Sequence, residues 1–345
     1  MRLFQTRAVV AATVAGVTLG ASALLGPARA NDSVAHLAAG GLQFGRTDAI
    51  AIQKEVLFIS TSEVRVDYRF RNLTDKSVAT LVAFPLPDVR AQSDLDNVVI
   101  PEPGAAANFM AFKTTVDGKS VQMKVQQRAI AVGIDRTNVL RDLGLPIAPY
   151  LAGLGKRIAA LPAAARDRLS DLAMIRYERF DAGKGWETAA IPTWTMRTVY
   201  YWHQVFPAKA TISVSHRYKP SVGAAVDTGV ASDYANAATN REYRDRYCVD
   251  EAFTRAVRRL RRGSGKSGNV HLTEERLEYV LKTGANWAGP ISEFTMIVDK
   301  GAPDNLVSFC AKGVRKISPT RFEVTMKDFY PQKNLDILIV KPARQ

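Results

Sequence analysis

The alternation of apolar and polar residues is the feature that most restricts how this chain can fold. Over residues 64–71 the apolar side chains are Val64, Val66, Tyr68 and Phe70, and every residue between them is charged. A period of two residues places the apolar side chains on one face of a strand. Similar segments recur through the chain, and Asp117-Gly118 between two of them is a strong hairpin signal. This pattern predicts antiparallel strands packed as a β-sandwich.

The predicted fold class is mainly β, or α+β over the whole chain, with two β-sandwich-like modules. The first module spans residues 31–225 and contains a helical insertion at residues 131–180, where proline and glycine bound helical periodicity. The second module spans residues 226–345. It begins with a basic helix at residues 242–262 and continues as alternating, strand-like segments.

The aromatic stretch from Trp194 to Gly223 is predicted to join the two modules. It contains two strand-like segments around a short turn at Pro207–Ala210, so we expect a hairpin that completes the first module. If the strands pair through this turn, His203 faces Val214 and lies within diagonal reach of His216.

Residues 1–30 have the composition of a secretory signal peptide. Arg2 and Arg7 precede an apolar run from Ala8 to Leu25, and Ala28-Arg29-Ala30 fits a signal peptidase site. We therefore expect cleavage after Ala30, a mature chain that begins at Asn31, and a periplasmic location. An uncleaved membrane anchor is the alternative.

The two cysteines, Cys248 and Cys310, are expected to form a disulfide because disulfides persist in exported proteins. The bridge would tie the basic helix to a strand of the second module. Two unrelated buried thiols are the alternative.

The chain carries an excess of positive charge, and its formal net charge is +14. Export makes nucleic acid an improbable partner and leaves anionic lipid, an acidic glycan or an envelope protein as the candidates. A basic surface that only keeps the protein soluble is the favoured interpretation of the charge. A row of arginines on one face of the basic helix is the candidate anionic-ligand surface: Arg255, Arg258, Arg259 and Arg262. A merely solvated helix face is the favoured interpretation.

The aromatic stretch also supplies a candidate pocket, formed by His203, His216, Tyr201 and Trp202. Two imidazoles could hold a metal ion together with a carboxylate, and the aromatic rings could contact a sugar or an acyl chain. Burial of the same side chains in the core is the favoured interpretation. No cofactor and no bound metal are expected.

No sequence motif assigns an enzymatic activity, since G-x-S-x-G, H-E-x-x-H and S-x-x-K patterns do not occur. The preferred hypothesis is a non-catalytic periplasmic binding or scaffold protein that contacts an envelope component or an anionic ligand. The alternatives are a periplasmic hydrolase of an envelope polymer and a carrier of an apolar ligand. The oligomeric state does not follow from the sequence.

Several sequence segments resemble one exported bacterial family, the domain-of-unknown-function family 4424. They are NDSVAHLAAGGL at 31–42, VAFPLPD at 82–88, WHQVFPA at 202–208, HRYKPSVG at 216–223, TGANWAGPI at 283–291 and LVSFC at 306–310. The resemblance covers the mature chain and implies a periplasmic protein, but it supplies no catalytic residue. Residues 60–130 are also similar to the vault/inter-alpha-trypsin type of β-sandwich, which is an analogy of fold alone.

Overall fold

The computed structural model describes residues 31–38, 41–90, 97–105, 107–181, 183, 185–263 and 270–343. The predicted signal peptide at residues 1–30 lies outside the described residues. Among the described residues, no helix is both long enough and apolar enough to cross a membrane.

Strands predominate, which confirms the mainly β prediction. In chain order the strands are β1 (Ser33–Ala38), β2 (Gly41–Phe44), β3 (Ile50–Ile59), β4 (Val64–Asn72), β5 (Val78–Pro85), β6 (Val89–Arg90), β7 (Asn97–Val99), β8 (Lys113–Val116), β9 (Lys119–Ser120), β10 (Lys124–Ala131), β11 (Ile134–Asp135), β12 (Ile175–Asp181), β13 (Trp186–Pro192), β14 (Thr195–Phe206), β15 (Thr211–Tyr218), β16 (Val222–Ala225), β17 (Leu272–Tyr279), β18 (Ile291–Asp299), β19 (Leu306–Phe309), β20 (Arg315–Lys316), β21 (Arg321–Phe329) and β22 (Leu335–Pro342). The helices are α1 (Thr137–Asp142), α2 (Leu154–Ala159), α3 (Ala163–Asp171), α4 (Ala237–Tyr247) and α5 (Glu251–Arg262), with a 3₁₀ helix η1 (Lys282–Asn286).

The strands form three large sheets and one two-stranded ribbon. Sheet I runs in the order β11-β10-β14-β5-β1-β2, and β6 also pairs with β14. Sheet II runs β20-β21-β18-β3-β4-β15-β8-β9, and sheet III runs β19-β22-β17-β16-β7. The ribbon consists of β12 and β13.

The main hydrophobic core fills the space between these three sheets. Phe84 and Trp202 come from sheet I, Phe70 comes from sheet II, and Ile337 comes from sheet III. The alternation that predicts β4 is observed, because Val64, Val66, Tyr68 and Phe70 are all buried in this core. Burial of such side chains supplies most of the stabilising free energy of the fold.

Two smaller apolar clusters pack the helices against the strands. Helices α1, α2 and α3 surround Trp194, whose indole N–H donates to the carbonyl oxygen of Ile147 at 2.7 Å. Helices α4 and α5 cover the other face of sheet III, where Val257 packs with Leu338 and Val340. Leu338 alternates with Ile337 along β22, so this strand is buried on both faces.

The predicted hairpin between residues 194 and 223 is wrong. Strand β14 pairs with β5 and β10 in sheet I, whereas β15 pairs with β4 and β8 in sheet II. The turn at Pro207–Ala210 therefore carries the chain from one sheet to the other. The two strands face each other across the core and do not exchange hydrogen bonds along a shared edge.

The predicted helical boundaries also need correction. The basic helix at 242–262 is two helices, α4 and α5, because Cys248 has a left-handed backbone with φ 55° and Asp250 begins a new helix by accepting from the backbone N–H of Phe253. The predicted helical insertion at 131–180 is helical only in part. From Ile175 the chain forms strand β12, which pairs with β13 in the two-stranded ribbon.

Hydrogen-bonded strands cross the predicted module boundary between residues 225 and 226. Strand β3 pairs with β18 in sheet II, and β16 pairs with β17 in sheet III. The two predicted modules are thus joined through shared sheets, and the division into modules stays a prediction.

Candidate functional site

The residues of the predicted aromatic pocket do not come together around a shared cavity. His203 lies on β14 with an exposed side chain, whereas His216 lies on β15 and is fully buried. Trp202 is buried against the His216 ring, with 5.5 Å between ring centroids, and Tyr201 points to the opposite face of sheet I. A metal site shared by the two histidines is therefore wrong, because His203 lies on the exposed face of sheet I and His216 lies in the core.

His216 belongs instead to a buried polar cluster that sequence reasoning did not find. Its Nε2 atom lies 3.0 Å from Oδ2 of Asp32, and its Nδ1 atom lies 2.7 Å from Oγ1 of Thr114. Aromatic rings enclose the imidazole, including those of Phe84 and Phe112. The ring is held by hydrogen bonds on both nitrogens, as a buried histidine requires.

A second carboxylate, that of Glu55, completes this buried cluster. The side-chain amide of Asn31 donates to Glu55 at 3.3 Å, and Asn31 accepts from the Tyr68 hydroxyl through its Oδ1 atom. Glu55 faces the core because a β-bulge between Ile52 and Lys54 shifts the register of β3 by one residue. Burial raises the pKa of Glu55 to about 8, and burial likewise raises the pKa of Asp32 although the nearby His216 opposes this effect.

The order Thr114, His216, Asp32 is that of a nucleophile, a base and an orienting carboxylate. Its geometry is closed to substrate, because Thr114 is 2% exposed while His216 and Asp32 are 0% exposed. A substrate carbonyl cannot reach the hydroxyl oxygen without opening the core. This cluster therefore holds strands together and does not form the cleft that the hydrolase hypothesis requires.

A cleft of about 460 Å³ lies beside the disulfide, between sheet II and the segment that leads into β22. Its apolar wall is formed by Leu281, Phe294, Met296, Met326 and Phe329. The rings of Phe294 and Phe329 pack with 4.6 Å between their centroids. The volume falls within the range of small-molecule sites, and apolar walls with a few polar groups are typical of them.

The rim of the cleft carries polar and charged side chains. Arg246 donates to Asp336 at 2.7 Å, so its charge is already paired. Lys333 and Asp245 are exposed at the rim. The Oδ1 atom of Asn334 is buried and accepts no hydrogen bond from any described residue. A ligand group that donates a hydrogen bond would satisfy this acceptor when the Asn334 side chain turns its Oδ1 atom toward the cleft.

The predicted disulfide is confirmed, since Cys248 and Cys310 are bonded. Cys248 follows α4 and Cys310 follows β19. Both cysteines line the cleft, so the bridge fixes the position of the helix layer at one side of it.

The candidate anionic-ligand surface lies on α5 with its arginines exposed. The opposite side of α5 is buried through Val257. The four arginines are exposed: Arg255, Arg258, Arg259 and Arg262. Arg255 is paired with Glu251 at 3.4 Å. Across the described part of the chain, no group of three or more His, Cys, Asp and Glu side chains is placed to hold a metal ion.

A model of the family described as a domain of unknown function, DUF4424, matches residues 30–338. The chain belongs to the DUF4424 family. The match begins one residue before Asn31 and ends inside β22, so both the buried polar cluster and the cleft fall within the family domain.

Comparison with solved structures finds a similar chain in Legionella pneumophila subsp. pneumophila str. Philadelphia 1, provisionally described as a nutrient binding protein. That chain is 16% identical to this DUF4424 protein, the alignment covers 91% of this chain and 71% of the other, and the TM-score is 0.42. A likeness this distant carries no argument about the ligand. No curated protein matched the sequence.

Proposed function

We propose that this DUF4424 protein is an exported, non-catalytic binding protein for a small amphipathic molecule. The observation that carries the proposal is the cleft beside the disulfide, where apolar side chains form the wall and a buried acceptor on Asn334 has no partner among the described residues. This geometry favours the ligand-carrier alternative over a hydrolase, because the buried histidine cluster is closed to substrate.

The chemistry of the ligand follows from the lining. Phe294, Met296 and Phe329 offer apolar contact to a hydrocarbon or aromatic body. Asn334 needs a hydrogen-bond donor, which a hydroxyl or ammonium group supplies and a carboxylate does not. The ligand is therefore an amphipathic alcohol or amine whose polar end lies near Asn334.

Binding of decanol, decylamine and decanoate, measured by calorimetry and by thermal shift, tests this proposal. Decanol and decylamine should bind saturably and raise the melting temperature with concentration, and decanoate should bind more weakly. Met326→Glu places a charge in the apolar wall and should weaken the binding of decanol about tenfold or more, because burying an unpaired charge is unfavourable. Val205→Glu, at an exposed apolar position on β14, is the matched control and should leave binding unchanged.

Two results would count against the cleft. One is the absence of saturable binding by all three amphiphiles. The other is equal binding by the Met326→Glu variant and the unmodified protein. Asn334→Leu separates the two parts of the proposal: it should remove the preference for decanol over decanoate while keeping the affinity for the hydrocarbon chain.

A second candidate function is adsorption to an anionic membrane surface through α5. It is favoured by the exposed arginines at positions 255, 258, 259 and 262, which share one helix face. Vesicles of phosphatidylglycerol should sediment the protein at low salt, and vesicles of phosphatidylcholine should not. Arg258→Glu should reduce this binding, whereas Arg168→Glu on α3 should not. Equal losses in the two variants would indicate attraction by net charge alone.

A further inference from the structure

The segment that follows the predicted cleavage site lies inside the core. Asn31, Asp32 and Ser33 are each 0% exposed. The Thr283 hydroxyl donates to the carbonyl oxygen of Asn31 at 2.7 Å, and the Trp287 indole N–H donates to the carbonyl oxygen of Asp32 at 2.6 Å. Polar groups that are buried this completely need hydrogen-bond or charge partners.

The surroundings of Asn31 contain more buried acid than buried base. Asp32 and Glu55 are both 0% exposed, and the titratable groups that face them are His216, Tyr68 and Tyr279. His216 is the one basic side chain in this set, and it contacts Oδ2 of Asp32. Oδ1 of Asp32 has no hydrogen-bond partner among the described residues. When both carboxyl groups are ionised, the described cluster is therefore short of one positive charge.

We propose that cleavage between Ala30 and Asn31 supplies this positive charge. Water adds across the amide bond, the leader leaves with the new carboxylate of Ala30, and the amine of Asn31 takes up a proton. The α-ammonium group then lies on the residue whose side-chain amide is 3.3 Å from Glu55, and it pairs with the buried carboxylates. Processing of the predicted signal peptide is thus the step that completes the core.

The pKa of Glu55 shifts in opposite directions in the uncleaved and cleaved chains. With an amide nitrogen at Asn31, burial raises the pKa of Glu55 to about 8, so the folded state holds a proton that the unfolded state releases near its ordinary pKa of 4.5. Stability is then lost as pH rises between these two values. An adjacent ammonium group lowers the pKa of Glu55 and removes this loss, because an opposite charge favours the ionised carboxylate.

Four purified chains test the proposal: one beginning at Asn31, one beginning at Ala30, and each of these with Glu55→Gln. A cleavable fusion that leaves no extra residue produces both starting points. Near pH 7.5 the chain that begins at Ala30 should melt lower by on the order of 5 °C, since one pKa unit corresponds to about 1.4 kcal/mol and each kcal/mol moves the melting temperature by a few degrees. At pH 5 the difference should shrink.

The Glu55→Gln background distinguishes charge pairing from simple crowding by the added residue. Charge pairing predicts that the difference between the two starting points becomes small when residue 55 cannot ionise. Crowding predicts a difference that depends on neither pH nor Glu55. Glu293→Gln, an exposed carboxylate on β18, is the matched control and should leave the difference intact.

Direct labelling tests the chain that begins at Asn31 even if the extended chain does not fold. Reductive methylation of the native protein should modify its α-amine at least tenfold more slowly than in denatured protein, while exposed lysines react in both. An α-amine that reacts at the denatured rate would overturn the proposal. So would an exported protein whose first residue, determined by mass spectrometry, is not Asn31.

Discussion

Reduction of the Cys248–Cys310 disulfide should lower the stability of the protein by about 4 kcal/mol. The cysteines are 62 positions apart, and the chain-entropy relation for a closed loop of that length gives this value. Both cysteines are exposed, so a reductant can reach the bond without prior unfolding. The bond joins the end of α4 to the end of β19, and its loss removes the covalent link between this helix and sheet III.

The backbone conformation of Cys248 makes a comparison of its replacement by glycine and by alanine informative. Cys248 has φ 55°, a left-handed conformation that side chains with a Cβ atom adopt at a cost. Cys248→Gly combined with Cys310→Ala should therefore be more stable than Cys248→Ala combined with Cys310→Ala by about 1 kcal/mol. The glycine variant measures the loss of the cross-link, and the difference between the two variants measures the backbone cost.

Urea unfolding followed by tryptophan fluorescence and by circular dichroism is the appropriate assay. The oxidised protein, the reduced protein and the two double variants should be compared at one pH. Identical midpoints for oxidised and reduced protein would refute the expected role of the cross-link. Coincident curves for the glycine and alanine variants would refute the backbone argument and leave the cross-link estimate intact.

Three further predictions concern the buried polar cluster. Gly284→Ala should lower the free energy of unfolding by about 1–3 kcal/mol, because the added Cβ would lie 2.6 Å from Nδ2 of Asn31. The control Gly104→Ala adds a Cβ that meets nothing within 4 Å and should be neutral. Thermal or urea unfolding measures both. Asp32→Ala should cost about 3–5 kcal/mol at neutral pH by leaving the buried imidazole without its partner, and a cost below about 1 kcal/mol would contradict the pairing. In a chain that keeps a residue ahead of Asn31, stability should fall as pH rises from 4.5 to about 8, and Glu55→Gln should flatten this profile.

Local patterns were sufficient to predict strand β4 and the cross-link. The alternation over residues 64–71 reports one strand and its buried face, because a period of two is a property of the strand itself. The disulfide followed from two cysteines in a chain with a predicted leader. Neither inference depended on which strands become neighbours.

Pairing between strands could not be predicted from the same local patterns. A turn at Pro207–Ala210 is compatible with a hairpin and with a crossing between sheets, and the choice depends on β5 and β4, which pair with β14 and β15. The break between α4 and α5 did have a local signal. Asp250 precedes a helical run and caps it, so treating residues 242–262 as one helix overlooked a recognisable N-cap.

The buried acid had a sequence signal of its own. Ile50 and Ile52 are buried at even positions, whereas Leu57 and Ile59 are buried at odd positions. Such a change of phase within one strand indicates a bulge, and it places Glu55 on the core face. The partners of Glu55 come from distant segments of the chain, so their assembly could not be inferred from the neighbourhood of β3.

Leu281 connects the buried cluster to the ligand cleft. Its carbonyl oxygen accepts from the side-chain amide of Asn31 at 3.4 Å, and its side chain lines the cleft. A chain that cannot place Asn31 correctly should therefore hold one wall of the cleft less firmly. Where the chain that begins at Ala30 still folds, it should bind decanol more weakly than the chain that begins at Asn31. Equal affinity would show that the cleft is built independently of the buried N-terminal segment, and would leave both the pairing of Asn31 and the cleft to be judged by their separate tests.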